Sequence, residues 1–294
     1  MRPRLICLLF LLTVCASAQD VPNSKLLVST AWLADHLNDP NVVILEVDHD
    51  MGGMDMGTPK HIPGARRADL NQIQVKANGL EVELPPDAAL KDIFEKLGVN
   101  DDTLVVLYSP MGMPMGTRVF FTLDYMGHDN AALLDGGIQK WITQNRPTVA
   151  EYSTAPAAGH ITLKVHPEVK ATLADVKAIS ANTPSDVVLL DARPQNRYQR
   201  GHIAGAQNLF SEDTVVDNKN NPTFKSPDEL RKMLAGRGVK PGEKIVTYCE
   251  IGYWATLDYF VAKYLGYPAA MYDGSINEWE GKAKLPLVKG TSPR

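Results

Sequence analysis

One cysteine of this chain stands in a segment typical of a reactive thiol. Cys249 follows the apolar, β-branched stretch Ile245–Tyr248, and helical spacing of apolar residues begins at Leu257. A sulfur so placed lies at the carboxyl end of a strand and faces the N-terminus of a helix. Because unpaired N–H groups and the helix dipole favour an anion there, we expect a lowered pKa and a nucleophilic thiol. The alternative is a buried apolar cysteine, a common fate of this residue.

The loop between this strand and this helix supplies the groups that would surround the sulfur. It comprises the six residues from Cys249 to Trp254, with Gly252 inside it. The backbone N–H groups of such a loop can curl around an anion that the sulfur carries. The spacing therefore predicts a cradle for a charged group on Cys249.

The first residues read as a signal for export. Arg2 and Arg4 precede an apolar run from Leu5 to Val14, which Ala16-Ser17-Ala18 closes. A basic start, an apolar middle and an A-x-A site are typical of a cleaved signal peptide, predicted over residues 1–18. We therefore expect a periplasmic or secreted protein. The apolar run is too short to span a membrane, so no membrane span is expected.

Export makes the cysteine count informative. Cys7 and Cys15 are expected to leave with the signal peptide, so Cys249 would be the only thiol of the mature chain and no disulfide framework is possible. An odd cysteine in an oxidising compartment indicates a free reactive thiol or an intermolecular partner. The formal net charge of −4, with mixed signs and no basic run, argues against nucleic acid as a partner.

The chain contains two copies of one unit. Four segment pairs keep their order at separations between 138 and 145 positions: Asn41–Leu45 with Asp186–Leu190, His61–Ala65 with His202–Ala206, Leu104–Ser109 with Lys244–Cys249, and Leu134–Trp141 with Tyr272–Trp279. Four matches in register indicate a duplicated domain. We place the domains at 24–146 and 169–287, joined by a Pro-, Ala- and Gly-rich linker at 147–168.

Each copy alternates short apolar strands with helical patterns, which predicts an α/β fold with a mostly parallel sheet and helices on both faces. The predicted helices are 31–37, 87–97 and 117–126 in the first copy, and 172–179, 227–234 and one from Leu257 in the second. Ligands bind beyond the carboxyl ends of parallel strands, where Cys249 stands in the second copy and Ser109 in the first. Ser109 has no neighbouring His or Asp as a base, so only the second copy is expected to be active.

These segments together resemble a tandem-domain rhodanese, a sulfurtransferase of the thiosulfate and 3-mercaptopyruvate family. The most specific matches are Leu190–Tyr198 (LDARPQNRY), Gly201–Ala206, the cysteine loop and Tyr272–Trp279. The resemblance covers nearly the whole mature chain. It implies two rhodanese-like domains and an enzyme that needs no cofactor.

The resemblance also implies roles for single residues. Cys249 would take a sulfane sulfur from a small anionic donor, hold it as a persulfide and pass it to a thiol, cyanide or protein acceptor. Arg197 would hold the donor, with Arg193 and Asp191 supporting the loop. The amides that would stabilise the persulfide anion belong to Glu250, Ile251, Gly252, Tyr253, Trp254 and Ala255.

The arginines can also be interpreted from their own chemistry. A planar guanidinium suits carboxylate and sulfonate oxygens, which favours a donor-binding role for Arg197. For Arg193 the stronger hypothesis is a structural ion pair with Asp191. Phosphatases of this fold carry an arginine where Ala255 stands, which excludes phosphate chemistry.

The loop departs from the pattern of both donor classes. Thiosulfate-specific relatives carry Arg and Lys in this loop and mercaptopyruvate-specific relatives carry Gly and Ser, whereas this chain has Glu250 and Ile251. A carboxylate beside the thiolate is expected to repel a dianion and raise the thiol pKa. Tyr253 and Trp254 predict a partly apolar mouth for a larger donor or a protein acceptor.

Six methionines stand in two loops of the first copy. Thioethers are soft ligands suited to Cu(I), so their convergence would make a copper site; the alternative is an apolar lining. The residues are Met51, Met54, Met56, Met111, Met113 and Met115. Two functions therefore stay open, a sulfurtransferase acting through Cys249 and a non-catalytic carrier of sulfur or copper.

Overall fold

The computed structural model describes residues 21–48, 60–182, 184–217 and 221–294. The strands of the first domain are β1 (Leu27–Val28), β2 (Val42–Asp48), β3 (Arg66–Asp69), β4 (Val75–Ala77), β5 (Leu80–Glu83), β6 (Leu104–Tyr108) and β7 (Ala131–Leu134). Its helices are α1 (Thr30–Asp35), α2 (Leu70–Ile73), α3 (Asp87–Lys96), α4 (Met113–Tyr125) and α5 (Gly137–Thr143).

The second domain repeats this order. Its strands are β8 (Lys170–Ala171), β9 (Val187–Asp191), β10 (Gln207–Asn208), β11 (Val215–Asp217), β12 (Asn221–Phe224), β13 (Lys244–Tyr248) and β14 (Ala269–Tyr272). Its helices are α6 (Leu173–Ala181), α7 (Gln195–Arg200), α8 (Pro227–Ala235), α9 (Trp254–Tyr264) and a π-helical turn, Asn277–Lys282. Short 3₁₀ turns cover Ser24–Leu26, Pro167–Val169 and Ser211–Thr214.

Each domain is built on a five-stranded parallel sheet, and the two sheets have the same order. The first runs β1-β7-β6-β2-β3 and the second, read from the equivalent edge, β8-β14-β13-β9-β10. The duplicated α/β fold is therefore confirmed. Each domain adds one antiparallel hairpin, β4–β5 and β11–β12, which the sequence did not predict.

Two helices begin earlier than their apolar spacing predicted. α4 starts at Met113 because Pro114 fits the first turn of a helix, where no N–H is needed. α9 starts at Trp254, so the loop that carries Cys249 ends at Tyr253. Trp254, predicted as the last loop residue, belongs to the helix.

The two domains share one continuous apolar core. α4 of the first domain packs against α9 of the second, where the rings of Phe120 and Phe260 lie 5.0 Å apart and those of Phe121 and Tyr259 lie 5.2 Å apart. Smaller apolar clusters cover the outer face of each sheet. The cysteine loop leads directly into α9, so it is held at the interface between the domains.

A strap closes each domain at the same point. We use this term for the segment that pairs antiparallel with the His-Ile-x-Gly-Ala turn, at Val149 with His61 in the first domain and at Val288 with His202 in the second. The first strap lies within the predicted linker. Among the described helices, none is both long and apolar enough to cross a membrane.

Candidate active site

Cys249 is the first residue after β13 and lies at the base of the domain interface. Its side chain is buried, with the residue 1% exposed. The backbone N–H of Gly252 donates a hydrogen bond to its Sγ atom at 3.1 Å, and its own N–H donates to Ser275 Oγ at 3.1 Å. The loop thus directs backbone N–H groups at the sulfur, as its spacing predicted.

The thiol is less acidic than the sequence predicted. Burial raises the pKa of Cys249, and the backbone N–H groups of Ala255, Ile251 and Gly252 oppose this without reversing it. The expected lowering of the pKa was wrong because burial desolvates the thiolate, and this effect exceeds that of the N–H groups. A bound persulfide would still meet those same N–H groups.

This raised pKa predicts how Cys249 reacts with iodoacetamide. We expect the alkylation rate to rise about tenfold per pH unit from neutral pH to beyond the ordinary thiol pKa, because the thiolate fraction keeps growing until the raised pKa is reached. Mass spectrometry of the alkylated Cys249 peptide measures this rate. A rate that levels off below about pH 8 would show that the amides dominate over burial.

The segment after β14 holds the loop in shape. The N–H groups of Ile276 and Asn277 donate to the carbonyl oxygens of Cys249 at 3.2 Å and of Glu250 at 3.0 Å. Ser275 adopts a left-handed φ of 51° although it is not a glycine. Its hydroxyl accepts from Cys249 N and donates to Tyr272 O at 2.9 Å, which favours this strained conformation.

Ser275 is a site residue that the motifs did not predict, although the duplication contains a signal for it. Its counterpart in the first domain is Gly137, which has φ 54° and carries no hydroxyl. A serine at a left-handed position where the inactive copy has glycine indicates that the hydroxyl has a use. Comparing the two copies position by position would have identified it.

Gly252 is required by the packing beneath the loop. Its φ is +96°, and a Cβ atom there would lie 2.7 Å from Asp273 Oδ1 and 3.2 Å from Arg118 Nη1. Both the backbone conformation and the lack of space therefore exclude other residues. This close approach brings the loop directly onto an ion pair between the domains.

That ion pair joins Arg118 of α4 to Asp273, and the sequence analysis did not identify it. Both side chains have no exposed surface, and the guanidinium binds the carboxylate through two nitrogens, with Nη2 3.2 Å from Oδ2. Lys170 Nζ lies 3.6 Å from the same carboxylate. Although burial acts against the charge, Asp273 keeps the pKa of Arg118 above its ordinary value.

Arg193 is buried and forms the ion pair with Asp191 that was the stronger hypothesis for it. Its Nη2 donates to Asp191 Oδ2 at 2.8 Å and to the carbonyl of Gly201 at 2.6 Å. Burial lowers the pKa of Arg193, but hydrogen bonds to Asp191 outweigh this and raise it. The pair supports the strand ends beside Cys249.

Glu250 lines the same cavity as Cys249 and also makes contacts that its place in the sequence did not predict. Its Oε2 contacts Arg197 Nη1 at 3.3 Å and Arg193 Nη1 at 3.4 Å. The carboxylate of Glu250 is therefore flanked by two guanidinium groups. As a result Arg197, the expected donor-binding residue, already has a carboxylate partner, in a pair whose side chains are 43% and 40% exposed.

A cavity of ≈ 330 Å³ opens above Cys249 between the domains. The first domain contributes Met111, Gly112, Pro114 and Met115, and the second contributes Arg197, Glu212, Cys249, Glu250, Ile251, Tyr253 and Trp254. The partly apolar mouth expected from Tyr253 and Trp254 is present. The Tyr253 hydroxyl also donates to Gln74 Oε1 of the first domain at 2.5 Å.

The structure places the six methionines of the copper hypothesis in different surroundings or does not describe them. Met111 and Met115 line the cavity, whereas Met113 is buried in the shared core. Met51, Met54 and Met56 lie outside the described residues. Two of the three described methionines therefore form an apolar wall, the alternative interpretation, and Cu(I) binding stays a prediction.

Comparison with known proteins identifies the family. The model of the rhodanese-like domain matches residues 29–144 and 172–282. The chain is 33% identical to the sulfur carrier protein TtuD of Thermus thermophilus, over 90% of this chain and 97% of the relative. It is 30% identical to a thiosulfate sulfurtransferase of Azotobacter vinelandii, over 91% and 98%.

A solved structure gives the same result. The crystal structure of SseA from Escherichia coli, a 3-mercaptopyruvate sulfotransferase, matches with a TM-score of 0.74 and 26% identity, over 85% of this chain and 98% of that one. The chain belongs to the rhodanese family, with two rhodanese-like domains in tandem. It is a sulfurtransferase.

Proposed function

We propose that this chain moves a sulfane sulfur from an anionic donor, of the thiosulfate or 3-mercaptopyruvate type, to a thiophilic acceptor through a persulfide on Cys249. The observation that supports this most is the loop around the sulfur, in which the Gly252 N–H lies 3.1 Å from Sγ. Backbone N–H groups that donate hydrogen bonds in this way stabilise the negative charge that a persulfide carries. The relatives act on thiosulfate and 3-mercaptopyruvate by their names, which supports the donor class.

The chemistry consists of two displacements. The Cys249 thiolate attacks the outer sulfur of thiosulfate; the Sγ–S bond forms, the S–S bond of the donor breaks, and sulfite leaves with the electron pair. Cyanide then attacks the outer sulfur of the persulfide; thiocyanate forms and Cys249 leaves as thiolate. Intact-mass spectrometry tests the first step, because the protein should gain one sulfur with thiosulfate and lose it with cyanide.

A sulfur carrier is the second candidate. The pairing of Glu250 with Arg197, 3.3 Å apart, reduces the positive charge available to an anionic donor and so favours slow loading. The relative from Thermus thermophilus is a sulfur carrier by name. Steady-state thiocyanate formation distinguishes the two, because a carrier would load once and turn over slowly.

Export of the protein depends on the signal peptide expected at residues 1–18, which lie outside the described residues, and is part of this proposal.

The Glu250–Arg197 pair predicts a specific effect on donor use. Glu250→Gln should lower the KM for thiosulfate about three- to tenfold, because it frees Arg197 and removes a carboxylate from a site that must accept a dianion. 3-Mercaptopyruvate carries one charge and should respond less. Thiocyanate formation at several ionic strengths measures this, and the advantage of the variant should shrink as salt rises.

Glu243→Gln is the matched control, because Glu243 pairs with Lys240 in the turn before β13 and does not line the cavity. It should leave both KM values unchanged. An equal response of the two donors to Glu250→Gln would show that Glu250 acts on the thiol and not on the charge of the donor.

A further inference from the structure

The cavity above Cys249 has more room and more apolar surface than a small inorganic donor uses. Its volume is ≈ 330 Å³, and Met111, Pro114 and Met115 of the first domain form one wall. Thiosulfate is a compact, strongly hydrated dianion that gains little from such a wall. The wall therefore suits an organic molecule that carries a few methylene groups.

The charged residues of the cavity further restrict which organic molecule it suits. Among the described residues that line it, the charged side chains are Arg197, Glu212 and Glu250. Arg197 and Glu250 compensate each other at 3.3 Å, while Arg193 and Asp191 form a pair behind the cavity at 2.8 Å. Within the part of the chain that the structure describes, Glu212 has no ion-pair partner, and a persulfide anion on Cys249 adds a second negative charge. Once Cys249 carries the persulfide, the site therefore favours an acceptor with a positive charge over one with a negative charge.

Glu212 is held in position for this role. Trp254 Nε1 donates to its Oε1 at 3.3 Å, and the Trp254 ring is itself fixed between Phe210, at 5.9 Å, and the Arg197 guanidinium, at 5.3 Å. Glu212 is partly exposed and lines the cavity above Cys249. An ammonium group bound there would lie in the same cavity as the sulfur.

We propose that the sulfur acceptor is a small organic thiol that carries an ammonium group, and that Glu212 selects it. This inference rests on the proposed persulfide function. The thiol sulfur attacks the outer sulfur of the Cys249 persulfide; the new S–S bond forms, the bond to Sγ breaks, and the acceptor's proton passes to Cys249. The products are the persulfide anion of the acceptor and the Cys249 thiol, with no net oxidation.

Three thiols in which two methylene groups separate the sulfur from the polar group test the selection. Cysteamine carries an ammonium group, 2-mercaptoethanol is neutral, and 3-mercaptopropionate carries a carboxylate. The protein is first loaded with one sulfur, and the loss of that sulfur in a single turnover is followed by intact-mass spectrometry at equal thiolate concentrations. We expect cysteamine to react about tenfold faster than 2-mercaptoethanol, and 3-mercaptopropionate to be the slowest.

Glu212→Gln removes the charge and keeps an oxygen that can accept from Trp254. It should bring the cysteamine to 2-mercaptoethanol rate ratio close to one, a readout that does not depend on overall activity. Asp213→Asn is the matched control, because Asp213 is the next residue of the same 3₁₀ turn and is exposed outside this cavity; it should keep the ratio.

A reaction with cyanide tests the persulfide function separately from the selection of the acceptor by Glu212. If cyanide removes the loaded sulfur while the three thiols react equally, the persulfide function stands and the selection by Glu212 is wrong. A ratio that survives Glu212→Gln also overturns the role of Glu212. If cyanide does not remove the sulfur, the persulfide function fails, and this inference fails with it.

Discussion

Cys249→Ser is expected to reduce thiocyanate formation from thiosulfate and cyanide to less than about a tenth of wild type, because a serine hydroxyl cannot form a persulfide that can be passed on. The same protein should gain no sulfur in its intact mass. Serine is close in size and can accept the Gly252 N–H that Sγ accepts, so the free energy of unfolding should change by less than about 1 kcal/mol.

Ser109→Ala is the control from the other copy. Ser109 is equivalent to Cys249, and its hydroxyl accepts from the Met111 N–H at 3.1 Å in the first domain. Its removal should leave activity intact. Activity of Cys249→Ser above a tenth of wild type would exclude Cys249 from the mechanism, and a large loss in Ser109→Ala would make the first domain catalytic.

Arg118→Leu should have the largest effect on stability. It leaves the Asp273 carboxylate without its buried partner at the interface between the domains, and an uncompensated buried charge costs about 3–5 kcal/mol. Lys170, 3.6 Å away, offsets part of this loss. Urea unfolding measures the effect, and activity should fall as well because Asp273 packs against Gly252 of the catalytic loop.

Two further variants make this prediction specific. Arg67→Leu breaks an exposed pair with Asp48, at 2.7 Å, and should cost less than about 1 kcal/mol. Asp273→Asn added to Arg118→Leu should recover part of the lost stability, because the buried charge is gone. A loss below about 1 kcal/mol for Arg118→Leu would show that this pair does not tie the domains together.

The elements that position the site could be predicted because their signals are local. The strand before Cys249, the helix after it and the repeat of both in the first domain depend on apolar spacing over a few residues, and the sheet follows from their alternation. The pairing of Arg193 with Asp191 was predictable for the same reason, since the two residues are two positions apart in the chain.

The rest depends on contacts between distant residues. Arg118 and Asp273 belong to different domains, and neither has a neighbour in sequence that indicates its partner. Glu250 contacts two arginines that the fold brings to it, and its place next to Cys249 in the sequence does not indicate these contacts. The pKa of the thiol depends on burial, which spacing does not measure.

The two straps change where one copy of the repeat is considered to end. Val149 exchanges backbone hydrogen bonds with His61, and Val288 does the same with His202. Each closing segment is therefore a structural part of the half that it closes. The connection between the two halves begins downstream of the first strap, inside the Pro- and Ala-rich stretch and not at its start.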